Sequence, residues 1–403
     1  MNVTDKNKFL YITAYALRSA ALLVSTGTLI QTFLVYIGMS ADRIYIHTTV
    51  TGAVNVLVIL LFAHFADSGS LIRRTAFVQL AGAILFLCYL PLCIGTGAGL
   101  PQFVLLITAG ALQSVSTALH TVCDYKLPYY IIKKEDYGSI MAFCGILYSG
   151  ISFGTGTLIT ALSVRFSYSV LMAAAFIIAF VFMALAALLT YKLKNISAYE
   201  DTVILKTDSD KQKNSLKRVI TAPVFYKLIP ANLMRGFATG MTLVFAVIAA
   251  DNLGYSEQIT TASVSVQSAA SLAGCALFGV LSKKLSHGIT IFAGSVTFLL
   301  LPFIFIPGNS VLFLIITGIV MFGRTLIDYA VPSMLLYEVP VEIAGPYNAY
   351  RMILHNGGSL IATSLATVVA VEILIPIACV MQIVSGCVYM VSFRKSRKTE
   401  MSV

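Results

Sequence analysis

The sequence contains little charge. Only 11% of its 403 residues are Asp, Glu, Lys or Arg, against roughly a quarter in an ordinary soluble domain. Apolar residues make up 58% of the chain, and the mean hydropathy is +0.88. Because a soluble fold of this length could not bury that much apolar surface, the composition excludes an ordinary soluble protein. It predicts an integral membrane protein.

The sequence also lacks the motifs that mark enzymes and metal centres. It has no Gly-rich phosphate loop with a Lys, no His-Glu-x-x-His and no paired Cys ligands, so neither nucleotide hydrolysis nor metal binding is indicated. The seven Cys lie within or beside apolar runs, without metal or redox spacing, which favours small buried residues. The run from Gly150 to Gly154 matches a Ser nucleophile pattern, but it lies in mid-helix and not at a strand-to-helix elbow. We therefore predict that the protein is not an enzyme and holds no cofactor.

Long apolar runs predict the architecture. A membrane-spanning helix needs about 20 apolar residues, and we predict twelve such helices, at 9–37, 44–66, 75–94, 103–131, 137–164, 166–191, 224–250, 259–282, 288–306, 310–336, 345–371 and 373–393. The polar interval between the sixth and seventh helices reads as a linker. The predicted protein is all-α, with an N-terminal six-helix bundle (1–191), a cytoplasmic linker (192–221), a C-terminal six-helix bundle (222–393) and a basic tail (394–403).

The basic residues predict the orientation. If the N-terminus is cytoplasmic, the Lys and Arg clusters between helices all lie on the cytoplasmic side, and only Arg43 and Arg165 lie opposite. That bias follows the positive-inside rule. The net charge of +10 is therefore a topology signal, and we expect no nucleic-acid partner. The expected location is the cytoplasmic (inner) membrane, with both termini in the cytoplasm.

The sequence predicts that the two halves of the chain are internal repeats. Asp124 and Pro128 in predicted helix 4 recur as Asp328 and Pro332 in predicted helix 10. Two further matches occur in the same order along each half. Residues 145–152 resemble 352–359, and Arg18 precedes the turn at 38–40 as Arg235 precedes the turn at 254–256. Matches in one order at nearly constant spacing indicate parallel repeats.

Two parallel six-helix halves joined by a basic linker resemble the major facilitator superfamily, and the resemblance covers essentially the whole chain. The loop after helix 2 is similar to the family's signature: it keeps Asp67, Gly69, Arg73 and Arg74, but its first Gly is replaced by Ala63 and its spacing is stretched. The counterpart after helix 8 has lost the Asp. The resemblance implies the fold of that family, a gating loop at Asp67, Arg73 and Arg74, and transport by alternating access.

Charged residues inside the apolar runs mark a candidate site, because charge at membrane depth is costly unless it faces protein or a watery cavity. Helices 1, 4, 7, 10 and 11 carry such residues: Arg18, Asp124, Arg235, Arg324, Asp328 and Arg351. Helices 3, 6, 9 and 12 carry none well inside, and in the superfamily the third helix of each triplet faces lipid. Two interpretations remain open. Arg18 and Arg235 clamp an anionic group of the substrate, or they pair with Asp124 and Asp328 inside each half.

Histidines are candidates for proton coupling, since a His or carboxylate in a dry site can carry a proton. Arg324 and Asp328 lie four apart on helix 10 and can pair along one face, and their helix 4 counterparts are His120 and Asp124. These four residues are predicted to form charge pairs or to couple a proton. The remaining histidines near helix ends are expected to be solvated at the interface: His47, His64 and His287.

Uncharged polar residues on the inner helices complete the candidate set. The predicted substrate-binding residues are Arg18, Arg235, Gln31, Gln113, Tyr148, Asn232, Gln267, His355 and Asn356. Each of the uncharged ones could equally make a helix-to-helix hydrogen bond. The sequence has no Trp, which removes a common stacking surface for sugars.

The function predicted from these features is secondary active transport of a small solute, either an organic anion or a neutral polar metabolite. A proton or sodium ion is the expected coupling ion, membrane lipid the expected surroundings, and a monomer the expected state. Two alternatives remain: a proton-linked efflux pump for amphipathic compounds, and a membrane receptor or scaffold that resembles a transporter but moves nothing.

Overall fold

The computed structural model describes residues 3–26, 28–62, 65, 70–94, 99–124, 127–132, 134–194, 219, 221–281, 285–306, 308–338 and 341–393. Regular structure in these residues is helical throughout. The predicted features that fall wholly or largely outside the described residues are His64, Asp67, Gly69, the linker at 192–221 and the tail at 394–403.

Six long helical segments form the N-terminal half. They are α1 (Val3–Ser25 and Thr28–Tyr36), α2 (Ala41–Phe62), α3 (Leu71–Leu87 and Leu90–Ile94), α4 (Leu100–Asp124), α5 (Lys134–Leu162) and α6 (Tyr168–Tyr191). A short helix, Leu127–Ile131, lies between α4 and α5. We call the end of the bundle where α1 begins the N-terminal face.

The C-terminal half repeats this order. It comprises α7 (Pro223–Leu243, Phe245–Val247 and a π-helical turn Ile248–Asn252), α8 (Glu257–Leu281), α9 (His287–Val296, continued as the 3₁₀ helix Thr297–Phe305), α10 (Ser310–Glu338), α11 (Val341–Leu365) and α12 (Val371–Ser392). Pro302 lies inside the 3₁₀ part of α9, and a residue without an N–H disfavours regular α-helix there.

The first turn of each half has the same backbone geometry. Gly38 ends α1 with φ 82° and Gly254 ends α7 with φ 63°, a left-handed conformation that favours glycine. Met39 N–H then donates back to Leu34 O, and Tyr255 N–H donates back to Ala249 O, both at 2.9 Å. The matching turns agree with the repeat that the sequence predicted.

Eleven segments of the described chain are long and apolar enough to cross a membrane, and α11 is not among them. The helix itself is 25 residues long, but it carries Arg351, His355 and Asn356 in its middle turns. It packs on α2 and α7, so these polar groups face protein. The eleventh predicted helix, at 345–371, is thus present as α11, and its polar residues lie where it packs on other helices.

Two long contacts join the halves: α2 with α11 and α5 with α8. Small polar groups meet in both. Asn356 Nδ2 donates to Asn55 Oδ1 at 2.9 Å between α11 and α2, and the Ser152 and Ser268 hydroxyls lie 2.5 Å apart between α5 and α8. By contrast α6 buries one stripe, Met172, Phe176, Ala179 and Met183, and exposes apolar side chains elsewhere, as a lipid-facing helix does.

Candidate functional site

Two connected cavities lie between the halves. The larger, of about 380 Å³, is lined mainly by α1, α2, α4 and α11. The smaller, of about 190 Å³, is lined by α1, α5, α7, α8 and α10. Thr26 and Leu243 line both, so the two spaces meet beside the break in α1. Helices of both halves therefore enclose one central space.

Unpaired polar atoms face the larger cavity. Gln31 Oε1, His47 Nε2 and both side-chain amide atoms of Gln113 are buried without a hydrogen-bond partner in the described part of the chain, and all three residues line this cavity. Gly110 admits the imidazole, since a β-carbon at that position would collide with His47 Nε2. A buried polar group without a partner costs about 1–3 kcal/mol, so this wall is suited to a ligand that hydrogen-bonds.

The smaller cavity is polar in a different way. Arg324 Nη1 donates to Thr242 Oγ1 at 2.7 Å, and both residues line the space. Gln267 Nε2 donates to Ser263 Oγ at 3.4 Å. Tyr148 also lines this cavity and is 39% exposed, so its ring is open to the central space. The guanidinium group of Arg324 therefore lines the central space.

The ion pair of the N-terminal half lies outside both cavities. Arg18 Nη1 lies 3.1 Å from Asp124 Oδ2, and Tyr11 OH donates to the other carboxylate oxygen at 3.4 Å. The same Arg18 nitrogen lies 2.6 and 2.8 Å from the two His120 ring nitrogens, and Gln79 Nε2 lies 2.8 Å from His120 Nε2. An imidazole nitrogen that accepts from a guanidinium group carries no proton itself. The positive charge of Arg18 is thus balanced by the negative charge of Asp124, and His120 is neutral.

The C-terminal half has an equivalent pair with an additional arginine. Arg235 Nη2 lies 2.5 Å from Asp328 Oδ1, and Arg324 Nε lies 3.5 Å from Asp328 Oδ2. Asn232, predicted to bind substrate, instead accepts from Tyr389 OH at 2.9 Å and donates to Leu228 O. It therefore holds α12 against α7.

The structure divides the predicted substrate-binding residues into two groups. Gln31, Gln113 and Asn356 line the larger cavity, and Tyr148 and Gln267 line the smaller, together with Arg324 from the predicted charge-pair set. The residues that line neither are Arg18, Arg235, Asn232, His355, His120, Asp124 and Asp328. Both pairings that the ion-pair interpretation expected are present.

The described part of the predicted gating loop is anchored by Arg74. Its Nη1 donates to Phe65 O at 2.5 Å, and its guanidinium carbon lies 5.2 Å from the Phe65 ring centroid. Arg73 is exposed.

His47 corrects the sequence interpretation. We expected it to be solvated near a helix end, but it is 6% exposed and lines the larger cavity. The reason is that α2 begins at Ala41, more than a turn earlier, so His47 lies well inside the helix. The missed signal is a polar stripe at four-residue spacing, His47, Thr51 and Asn55, which places all three on one face; all three line the cavity.

Comparison with known proteins decides the family. The family model described as "Major Facilitator Superfamily" matches residues 9–363. The chain belongs to the Major Facilitator Superfamily. The resemblance inferred from the sequence and the predicted fold class are thereby confirmed. No curated protein sequence matches the chain.

Solved structures share this superfamily fold at low sequence identity. A D-xylose-proton symporter matches with a TM-score of 0.70 and 12% identity, over 96% of this chain and 97% of that one. A bacterial homologue of the iron transporter ferroportin matches in its outward-facing state with a TM-score of 0.68 and 13% identity, over 97% and 99%. The same homologue in its inward-facing state matches with 0.66 and 13%, over 95% and 98%.

The site of this superfamily member can therefore be stated in chemical terms. One wall offers neutral donors and acceptors from Gln31, His47 and Gln113. The other offers a guanidinium group, Arg324, with serine and threonine hydroxyls around it. Such a space suits a small polar molecule that touches both halves at once.

Proposed function

We propose that the protein is a secondary transporter that moves a small polar solute across the membrane by alternating access. The observation that carries this proposal is the set of unpaired buried polar atoms on the larger cavity wall. A protein core without a ligand leaves such atoms unpaired only at a cost. The solute would hydrogen-bond them, and the central space between the repeats would be its binding site.

The contacts between the halves suit a rocking movement. At the α5–α8 contact, Gly156 packs directly on the Ser265 backbone. At the α2–α11 contact, Thr49 donates to Thr363 at 3.3 Å. Small residues and single hydroxyl bonds of this kind can be exchanged as the helices rotate. The halves could thus open the central space alternately to each face.

Location and coupling follow from the charge pattern. The positive-inside bias supports a cytoplasmic membrane with both termini in the cytoplasm. A proton or sodium gradient would drive transport, with His120 and Asp124 as proton carriers in the first case. A proton-linked efflux pump is the alternative within transport, and a receptor without flux is the alternative outside it.

Substitution of Gln113 tests the binding site. We expect Gln113→Met in proteoliposomes to raise the solute KM roughly tenfold, since one or two hydrogen bonds are lost. The melting temperature should not fall, because the amide has no hydrogen-bond partner among the described residues. The matched control is Gln382→Met. Gln382 Nε2 donates to Ser295 Oγ at 2.9 Å between α12 and α9, so this variant should be less stable but keep its KM.

The solute is first identified by a thermal-shift screen of metabolites, because a ligand that binds only the folded state raises its melting temperature. Flux of that solute separates transport from sensing. An unchanged KM in Gln113→Met would remove the larger cavity from the binding site, and binding without any flux would favour the receptor.

A further inference from the structure

The described part of the C-terminal half contains a buried arginine without a counter-charge. Arg351 on α11 is 5% exposed. Its one hydrogen bond is a long contact from Nη2 to the Met352 sulfur at 3.7 Å, and its Nε is buried without a partner. No carboxylate of the described residues pairs with it, and no aromatic ring lies beneath its guanidinium group.

Other unpaired groups lie beside Arg351. Arg235 is 6% exposed and its Nη1 is buried without a partner, and His355 Nδ1 is also unpaired in the described chain. Arg235 and Arg324 share the Asp328 carboxylate. Gly236, next to Arg235, packs on the His355 backbone, and Arg351 lies one turn before His355 on α11. These contacts place the four residues in one neighbourhood. We call them the basic cluster.

The basic cluster carries more positive charge than its surroundings balance. Among the described side chains, three guanidinium groups share one carboxylate, Asp328, which already accepts from Arg235 and Arg324. Two positive charges are left over. Arginine cannot escape this cost by losing its proton, and an isolated buried charge is strongly unfavourable. An anion would remove the excess.

The basic cluster adjoins the central space. Arg324 is part of the cluster and lines the smaller cavity. On α11, Met352 and Asn356 line the larger cavity, and each follows a cluster residue directly in the chain. The basic cluster thus lies behind the walls that the solute would touch.

We propose that the basic cluster, Arg235, Arg324, Arg351 and His355, binds the anionic group of the transported solute, a carboxylate or a phosphate. This proposal rests on the transport function proposed above and narrows its substrate class to organic anions. The anion is held by the C-terminal half alone, with Arg351 as the residue that determines specificity. Arg18 then has no part in binding it, because its charge is matched by Asp124.

The test measures anion binding by the purified full-length protein in detergent. The probes are inorganic phosphate, acetate and phosphatidylglycerol, each compared with chloride at constant ionic strength. We expect phosphate or acetate to raise the melting temperature in a saturable way, and Arg351→Gln to weaken that binding roughly tenfold or more, since charge-assisted hydrogen bonds are lost. The variant without anion should melt higher than the wild type without anion, because an uncompensated buried charge is gone.

Two further variants keep the result interpretable. Arg165→Gln removes the same charge from an exposed loop position and should leave anion binding unchanged. Arg351→Lys retains the charge without the planar fork and should bind more weakly than the wild type but more tightly than Arg351→Gln.

The outcomes separate this proposal from the transport function. Stabilisation by phosphate or acetate that Arg351→Gln abolishes supports the anion site, even if no solute is ever transported. Equal anion binding by the wild type and Arg351→Gln overturns it, although flux would still support a transporter. Stabilisation by phosphatidylglycerol alone, or by none of the probes, also overturns it.

Discussion

The two halves share a scaffold but differ in buried charge. In the N-terminal half Arg18 faces Asp124, one charge against one. In the C-terminal half Asp328 faces Arg235 and Arg324 together, and Arg351 lies nearby without a carboxylate among the described residues. Among the described buried groups, charge is balanced in the N-terminal half, and positive charge is in excess in the C-terminal half.

The positions at which the halves differ show how the excess arises. The repeat aligns Arg235–Asp328 with Arg18–Asp124, so each half has a pair between its first and fourth helices. It aligns Arg324 with His120, and Arg351 with Cys144, which is fully buried. The shared pair therefore belongs to the scaffold, whereas the two additional arginines belong to the C-terminal half.

The largest expected effect comes from breaking the balanced half. Arg18→Gln leaves the Asp124 carboxylate without its cation, and removing one member of a buried pair costs 3–5 kcal/mol. We expect about 3 kcal/mol, near the lower limit of that range, because the Asp124 side chain is 22% exposed. Denaturant unfolding in detergent measures the loss.

The double variant Arg18→Gln/Asp124→Asn is the control for this prediction. It removes both charges, so most of the lost stability should return, and solute affinity should match that of the wild type. If the double variant were as unstable as the single one, or bound solute poorly, Arg18 would do more than neutralise Asp124.

The second prediction concerns packing, in which the halves also differ. Helices α7 and α11 touch closely at Gly358, where a β-carbon would collide with Leu233 O and Phe237 N, whereas at Gly357 nothing lies within 4 Å. The N-terminal counterpart of Gly358 is Ile151. Gly358→Ala should therefore cost about 2 kcal/mol, since it forces two backbones apart.

Gly357→Ala is the matched control at the adjacent position. It should be neutral or stabilise slightly, because Ala favours helix over Gly by about 1 kcal/mol. Equal unfolding midpoints for the two variants would contradict the close approach of α7 and α11.

Periodicity and composition were sufficient for the fold. Long apolar runs predicted twelve helices, and eleven of the described helical segments have the length and composition that spanning a membrane imposes. The repeat predicted which charges correspond, and opposite charges at matching places already offered Arg18–Asp124 and Arg235–Asp328 as one interpretation. Irregularities within the helices were not predicted. An example is the break of α1 near Thr26, a residue that lines both cavities.

The candidate site was less predictable, because residue type does not tell which face a side chain takes. Asn232 and Gln113 are equally polar residues in the middle of a helix, yet Asn232 bonds Tyr389 and Gln113 faces the cavity. The sequence identified Arg351 as a charged residue within a spanning helix. Whether a carboxylate lies beside it depends on which helices pack on α11. Such contacts between distant segments require the structure.

The smallest effect is expected from making the C-terminal half resemble the other at one position. Arg324→His introduces the counterpart residue, His120, into the basic cluster. An imidazole, unlike a guanidinium group, can lose its proton on a change of pH. At acidic pH, where the new His is protonated, the positive excess is retained and anion affinity should approach that of the wild type. At higher pH, where the imidazole is neutral, affinity should fall several-fold.

The comparison of two pH profiles isolates residue 324. Wild-type Arg324 stays charged throughout, and the other titratable groups beside the basic cluster, Asp328, Tyr148 and Tyr389, are present in both proteins, as is His355. Anion titrations by thermal shift at acidic and alkaline pH should therefore diverge only on the alkaline side. Parallel profiles would mean that Arg324 holds Asp328 and Thr242 in place without contributing charge to the anion, and the excess that binds it would come from Arg351 and Arg235.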